Sequence, residues 1–234
     1  MTLTVQRAAD RMVTSIDWLD SKHSFNFGGH YRPGDAGHGL LLVNNDDIVA
    51  PGAGFGEHGH RDMEIVTWVL SGRLEHRDSE GNHGVLYPGL AQRMSAGRGI
   101  RHSEMNASDT EPVHFVQMWV LPDTNGIDPG YEQRDINAAL AGGGLVPIAS
   151  GKGDDGAVLI HQRDAELWGG RLAAGTTVDV PSAEHVHVFA ATGDGDLSDG
   201  THIGTGDGAR ITGPHSLQFT AGQGGAEVLV WATA

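Results

Sequence analysis

The sequence predicts an all-β protein built from two consecutive small units, each a sandwich or barrel. Three observations carry this. Short apolar or alternating runs closed by turn residues recur along the chain, no long helical stripe competes with them, and a Gly-rich stretch without strand patterning divides the chain. In the first half, residues 39–43, 64–70, 73–77 and 114–121 have strand character, with turn chemistry at Ser71-Gly72, Ser79-Glu80-Gly81-Asn82 and Pro88-Gly89. Residues 122–156, which include Asn125-Gly126, Pro129-Gly130 and Gly142 to Gly144, are expected to be a linker between halves. Strand patterning resumes at 158–161, 186–190, 209–212, 216–220 and 227–231. Strands without intervening helices exclude a parallel α/β sheet.

Composition narrows the function. The 234 residues include 36 Gly, 15 Lys plus Arg and 30 Asp plus Glu, for a formal net charge of -15. Such a chain repels a phosphate backbone, and no basic cluster interrupts the field, so direct nucleic-acid binding is not expected. With no Cys, disulfides, thiolate ligands and a cysteine nucleophile are excluded, and any metal must take N and O donors. Residues 1–20 carry Arg7, Asp10, Arg11 and Asp17 and no signal-like apolar run, and no stretch approaches the roughly 20 apolar residues of a membrane span. A cytoplasmic protein without membrane association is expected, as a monomer.

Two short pairs carry the chemistry. His58 and His60 are two residues apart, as are His102 and Glu104. On a strand, residues i and i+2 share a face with Cα atoms about 6.5 to 7 Å apart, so each pair can converge on a point. Imidazole nitrogen and carboxylate oxygen bind divalent first-row metals at about 2.0 to 2.2 Å, which these side chains can reach. A lone His-x-His is by default a pair of solvent-facing polar residues. A second pair at the same spacing, with Gly56, Gly97 and Gly99 nearby, favours a metal site instead. Three imidazoles and one carboxylate suit Fe, Zn, Ni, Cu or Mn and leave positions open for substrate or dioxygen.

The residues around these pairs sharpen the reading. Gly54-Phe55-Gly56-Glu57-His58-Gly59-His60-Arg61-Asp62-Met63-Glu64, running on to Leu70 and through Gly72 and His76 to Asn82, resembles the first signature of the pirin family. Met94-Ser95-Ala96-Gly97-Arg98-Gly99-Ile100-Arg101-His102-Ser103-Glu104 resembles the second. The likeness covers most of residues 20–135. It implies two tandem cupin barrels, with a metal-binding domain at 1–135 and a metal-free cupin domain at 136–234. It also implies that His58, His60, His102 and Glu104 hold one divalent ion, Fe(II) first, with Zn, Ni, Cu, Mn or Co as alternatives.

Bacterial members nearest this pattern are associated with quercetin 2,3-dioxygenase activity, which opens a flavonol ring with O2 and releases carbon monoxide. Other members act as regulators through protein contacts, which is the alternative reading here. In the enzyme reading Glu104 is also the proton acceptor, and Phe55, Trp68 and Met94 line an apolar wall. The chain departs from the commonest pattern at Gly59, which replaces proline, and at Asp62 and Met63, which replace glycine and phenylalanine. Glu64 is not expected to be a ligand.

Other polar residues have plainer readings. His76 and His83 are read as ordinary strand residues, with an outer contact to the site as the alternative for His76. His114 and Gln117 have odd separation, so at most one should line the pocket unless a bulge intervenes. His185 and His187 repeat the His-x-His spacing, but neither His202 nor His215 belongs to a pair like His102 and Glu104, so no second metal site is expected. Gly52 to Gly56 lacks the Lys-Ser/Thr and the helix of a phosphate loop, and neither a nucleophile elbow nor a calcium loop is present.

Overall fold

A computed structural model describes residues 1–153 and 156–234. The first half contains β1 (Thr2–Gln6), β2 (Met12–Ile16), β3 (Leu19–His23), β4 (Leu41–Val49), β5 (Gly54–His60), β6 (Glu64–Ser71), β7 (Leu74–Asp78), β8 (His83–Leu86), β9 (Leu90–Ser95), β10 (Ile100–Asn106), β11 (Val113–Val120) and β12 (Gly130–Asp135). After the one-turn helix α1 (Asn137–Leu140) come β13 (Val146–Ser150), β14 (Val158–Leu159), β15 (Ala165–Leu172), β16 (Thr177–Asp179), β17 (His185–Leu197), β18 (His202–Gly204), β19 (Gly208–Thr212) and β20 (Gln218–Thr233).

Among the described residues these strands form three sheets. A seven-stranded sheet in the order β12-β9-β6-β11-β4-β3-β2 and a four-stranded sheet in the order β5-β10-β7-β8 make the first barrel. A nine-stranded sheet, running β1-β19-β17-β20-β15-β13-β14 with β16 and β18 at its side, makes the second. The all-β, two-unit expectation therefore holds. The first strand crosses over: β1 pairs with β19 from Thr2↔Thr212 to Gln6↔Gly208, so the amino terminus is woven into the second sheet.

The middle of the seven-stranded sheet is buried on both faces, which explains why β6 reads as a nearly continuous apolar run rather than an alternation. Val66, Trp68, Val116 and Met118 pack with Ile148, Leu167, Leu229 and Trp231 of the second sheet in one core. The opposite face carries Val69 and Phe115 in a smaller core inside the first barrel.

Two expectations fail. Residues 122–156 are not a plain linker, because β12 extends the first sheet along β9 and β13 joins β15 in the second; residues 154–155 lie outside the described set. The strands expected at 216–220 and 227–231 are a single strand, β20. Its Gly222-Gly224-Gly225 run is not a turn. The β17–β20 ladder stays paired while slipping register at Ala190/Thr192 and Gly193/Gly195, where glycines let the long strand pair bend.

Candidate metal centre

The two His/Glu pairs lie on adjacent antiparallel strands. His102 on β10 stands directly opposite His58 on β5, with Arg101 opposite Gly59 and Ile100 opposite His60. Gly59 thus keeps its place in the ladder, and a side chain there would meet only ordinary contacts, the nearest being the Ile100 carbonyl oxygen at 3.6 Å.

Beyond His102 the register slips, so that Glu104 faces Phe55. Two residues of β5, Gly56 and Glu57, stand against the single residue Ser103 of β10, which makes a bulge. The bulge brings Phe55 and His58, three apart in sequence, to the same cavity. Gly54 is required beside it, because a Cβ there would lie 2.3 Å from the Glu104 carbonyl oxygen and 2.6 Å from the Met105 Cα, forcing β5 off β10.

The imidazoles converge. Ring centroids are 4.4 Å apart for His58 and His102, 4.9 Å for His58 and His60, and 5.0 Å for His60 and His102. One nitrogen from each of the three lies within 4.8 Å of the others. His58 Nδ1 donates to the Gly56 carbonyl at 2.8 Å, which fixes the tautomer and leaves Nε2 with a free lone pair. His102 is 2% exposed, and neither of its ring nitrogens has a hydrogen-bond partner. A buried imidazole with both nitrogens unpaired is costly unless something else takes a lone pair, so the donor set fits a metal ion.

Electrostatics agree with this. Burial, then the neighbouring imidazoles of His102 and His58, holds His60 down to about 4. Burial, then His58 and His76, holds His102 down to about 3. Both rings are neutral near pH 7, and a cation would not need to displace their protons.

Glu104 lies against a second grouping, for its carboxylate and the nitrogens of His102 and His76 also fall within 4.8 Å of one another. Gln117 Nε2 donates to Glu104 Oε2 at 2.7 Å, and Trp119 Nε1 donates to Gln117 Oε1 at 3.1 Å, so the carboxylate is oriented from behind. Glu64 is elsewhere, accepting from Ser95 Oγ and the His161 amide.

His76 is not an ordinary strand residue. It is fully buried, hydrogen-bonded through Nε2 to Asp78 at 3.1 Å, and its ring lies 5.3 Å from His102. A signal for it was present: His76 and Asp78 repeat the i, i+2 spacing and pair across the ladder with Glu104 and His102. His83, by contrast, is exposed and bonds Glu75. Of the other two candidates, Gln117 reaches the cavity while His114 turns to Asp46.

His58, His60 and Glu104 border an open cavity of 370 Å³, while His102 is buried beside them. Phe55 lines it, together with Trp18, Phe27 and Trp119, which sequence reasoning missed. Trp68 and Met94 do not. Trp68 faces the second barrel, where its Nε1 donates to Glu227 at 2.8 Å, and Met94 packs with Ile65 and Ile100. In the second barrel His187 is buried among aromatic rings of Phe25 and Phe189, and His185 packs on His38; among the described residues neither belongs to a group able to hold a metal.

The departure at Asp62 has a local explanation. Its φ of 47° is left-handed, where glycine is at ease and aspartate is tolerated, and its Oδ1 accepts from the Gly126 amide at 2.6 Å.

A second acid, Asp47, also borders the cavity. Burial, with some help from Asp46 and Glu104, pushes its carboxyl up to about 7 against the hydrogen bond from Ser21. An unfolded carboxyl ionises near about pH 4, so between there and about pH 7 the folded chain binds more protons and stability falls as pH rises. In the metal-free protein, Asp47→Asn is therefore expected to gain melting temperature relative to wild type by at least about 3 °C between about pH 5 and about pH 8. Differential scanning calorimetry checks this, and a pH-independent difference would remove the buried-acid assignment.

Comparison with known proteins decides the family. The model described as Pirin matches residues 5–120, and that described as Quercetinase C-terminal cupin domain matches residues 147–231. A Mycobacterium tuberculosis protein provisionally named quercetin 2,3-dioxygenase is 55% identical over 98% of this chain and 94% of its own. The chain belongs to the pirin family.

Its two barrels are accordingly cupin domains in tandem. Quercetin 2,3-dioxygenase of Escherichia coli K12 is 46% identical over 70% of this chain and 69% of its own. Among solved structures, the bacterial pirin YhhW of Escherichia coli in complex with nickel(II) superimposes with a TM-score of 0.89 at 36% identity, covering 98% of both chains. That pirin is solved with nickel(II) bound.

Proposed function

We propose that this chain is a metal-dependent dioxygenase that opens the ring of a flavonol with O2 and releases carbon monoxide. His58, His60, His102 and Glu104 hold one divalent ion, with Fe(II) expected ahead of Zn, Ni, Cu, Mn or Co. The observation that carries the reading is a cluster of three mutually close imidazoles, two of which, His58 and His60, face an open cavity with aromatic walls together with the Glu104 carboxylate. The names of the relatives support it.

A divalent ion supplies a Lewis acid that acidifies a phenolic hydroxyl and leaves coordination positions open. The chain supplies the rest. Glu104 accepts the hydroxyl proton, while the hydrogen bond from Gln117 keeps the carboxylate turned toward the site. Trp18, Phe27, Phe55 and Trp119 stack against a planar ring system and keep bulk water from it. A regulator acting only through protein contact has no use for such a cavity, which favours catalysis over that alternative.

The test is quercetin consumption under air by protein stripped and reloaded separately with Fe, Mn, Co, Ni, Cu and Zn, with carbon monoxide detection. Metal-dependent loss of quercetin with carbon monoxide release, reduced at least about a hundredfold in His58→Ala, is expected. Retained metal without turnover under any loading would reject the flavonol dioxygenase.

A further inference from the structure

The cavity wall formed by β3 and β4 has hydrogen-bonding capacity that the metal centre does not use. Asn45 and Asp47 are two apart on β4, so both project from the same face, and both line the cavity although their side chains are almost entirely buried. Ser21 and His23 stand opposite them in the ladder, at Asp47 and Asn45 respectively.

The orientation of the Asn45 amide is set by a chain of hydrogen bonds. His23 Nδ1 donates to Asn45 Oδ1 at 2.8 Å, because that oxygen can only accept. His23 Nε2 then accepts from Thr14 Oγ1 at 2.9 Å, and Thr14 in turn accepts from His30 Nε2 at 2.9 Å. The Asn45 amide NH2 is left without a protein partner. Asp47 is similar, for Ser21 Oγ donates to Oδ1 and the second carboxyl oxygen has no partner among the described residues. Nor does a cation meet it, since the guanidinium of Arg11 is bonded to Asp46 instead. A donor and an acceptor side by side, both open to the cavity and without a protein partner, can take a ligand group.

We infer that Asn45 and Asp47 form a second recognition point, which takes one phenolic hydroxyl of the substrate other than the one held at the metal. The hydroxyl donates to Asp47 and accepts from the Asn45 amide, the complementary pair of roles a phenol offers. An anionic ligand end is disfavoured beside the carboxyls of Asp47, Asp46 and Glu104. An aromatic hydroxyl is favoured by the ring of Phe27, which stacks on His23 with centroids 5.1 Å apart. Position fits as well. The metal ligands lie on the four-stranded sheet and this pair on the seven-stranded one, on the wall where Gln117, the cross-strand neighbour of Asn45, holds Glu104, so one ring system can reach both. This inference rests on the flavonol reading and deepens it, making hydroxyls beyond the metal-bound one a determinant of specificity.

The experiment is equilibrium binding, under argon, of quercetin and of 3-hydroxyflavone to nickel-loaded protein, followed by the flavonol absorbance shift. The two ligands share the metal-binding hydroxyl and carbonyl, but only quercetin carries further hydroxyls. Wild type is expected to prefer quercetin by about tenfold or more, the worth of one well-made buried hydrogen-bonded contact. In Asp47→Ala and Asn45→Ala the preference should collapse to within about twofold, and in Asp47→Asn, which keeps an acceptor, part of it should return. Because the ratio is taken within one variant, a general loss of fold weakens both ligands alike and leaves it readable. Equal binding by wild type, or a preference that survives both alanine variants, overturns the inference alone. Failure of wild type to bind either compound overturns the flavonol reading, and the inference with it.

Discussion

Replacing His102 by alanine is expected to weaken metal binding by at least about a hundredfold, more than the loss of any other single candidate ligand. The geometry gives the reason. His58 and His60 are partly exposed at the cavity, whereas His102 lies behind them, nearly closed to solvent, and is the one residue common to both groups of potential donors. Water cannot easily fill its place, and the remaining imidazoles would have to share the ion with Glu104 alone. The metal-free variant should fold well, because the substitution removes a desolvated ring whose two nitrogens have no partner. Metal analysis after equilibration, paired with melting curves with and without chelator, separates the two effects. An ion held at one hundred times its dissociation constant adds about 2.7 kcal/mol to wild type. That increment should vanish in His102→Ala. Full metal stoichiometry in the variant would reject His102 as a ligand.

Much of this centre was legible because it depends on short-range periodicity. The i, i+2 pairs at 58/60 and 102/104 needed only the two-residue repeat of a strand, and the structure brings them together on paired strands. What the same rule could not reach was anything set by a bulge or by pairing between distant segments. Phe55 shares the cavity with His58 only because β5 carries an extra residue, and a strict alternation would have turned it away. Trp18, Phe27, Asn45 and Asp47 come from β3, β4 and the segments beside them, and nothing local marks them as neighbours of residues near 58 and 102. His76 was visible as a spacing but not as a buried group, since burial depends on the β10 partner and the ring of Tyr131 stacked on it at 4.8 Å.

The fold shows the same division. Strand character and most turns could be read locally, and Ser71-Gly72 does connect β6 to β7. The chain crossings could not. β1 lies in the second sheet because Leu3 and Val5 pack against its core, a preference only the assembled sheet reveals. Trp68 illustrates the cost of inferring direction from composition: an aromatic beside a candidate site suggested a cavity wall, yet alternation along β6 puts Thr67 toward Glu104 and Trp68 toward the other barrel.

That placement makes Trp68→Ala the second large expected effect, here on stability. The indole is 1% exposed and sits in the core shared by the two barrels, so truncation should cost about 3 to 5 kcal/mol. It also removes the donor to Glu227 Oε1, although Arg171 still bonds Oε2 at 3.3 Å and limits the penalty of the exposed acceptor. Trp68→Phe isolates that part, with an expected loss of about 1 to 2 kcal/mol. Because the core residues of both barrels are mixed in one cluster, wild type and both variants should unfold in a single cooperative transition, seen at the same denaturant concentration by tryptophan fluorescence and far-ultraviolet circular dichroism. Metal affinity should stay within about threefold of wild type, since the indole points away from the ligands. Two separated transitions would mean that each barrel is stable alone and that the shared core contributes contact without coupling. A parallel loss of metal and stability would mean instead that β6 transmits the packing of its outer face to Thr67 and Glu104.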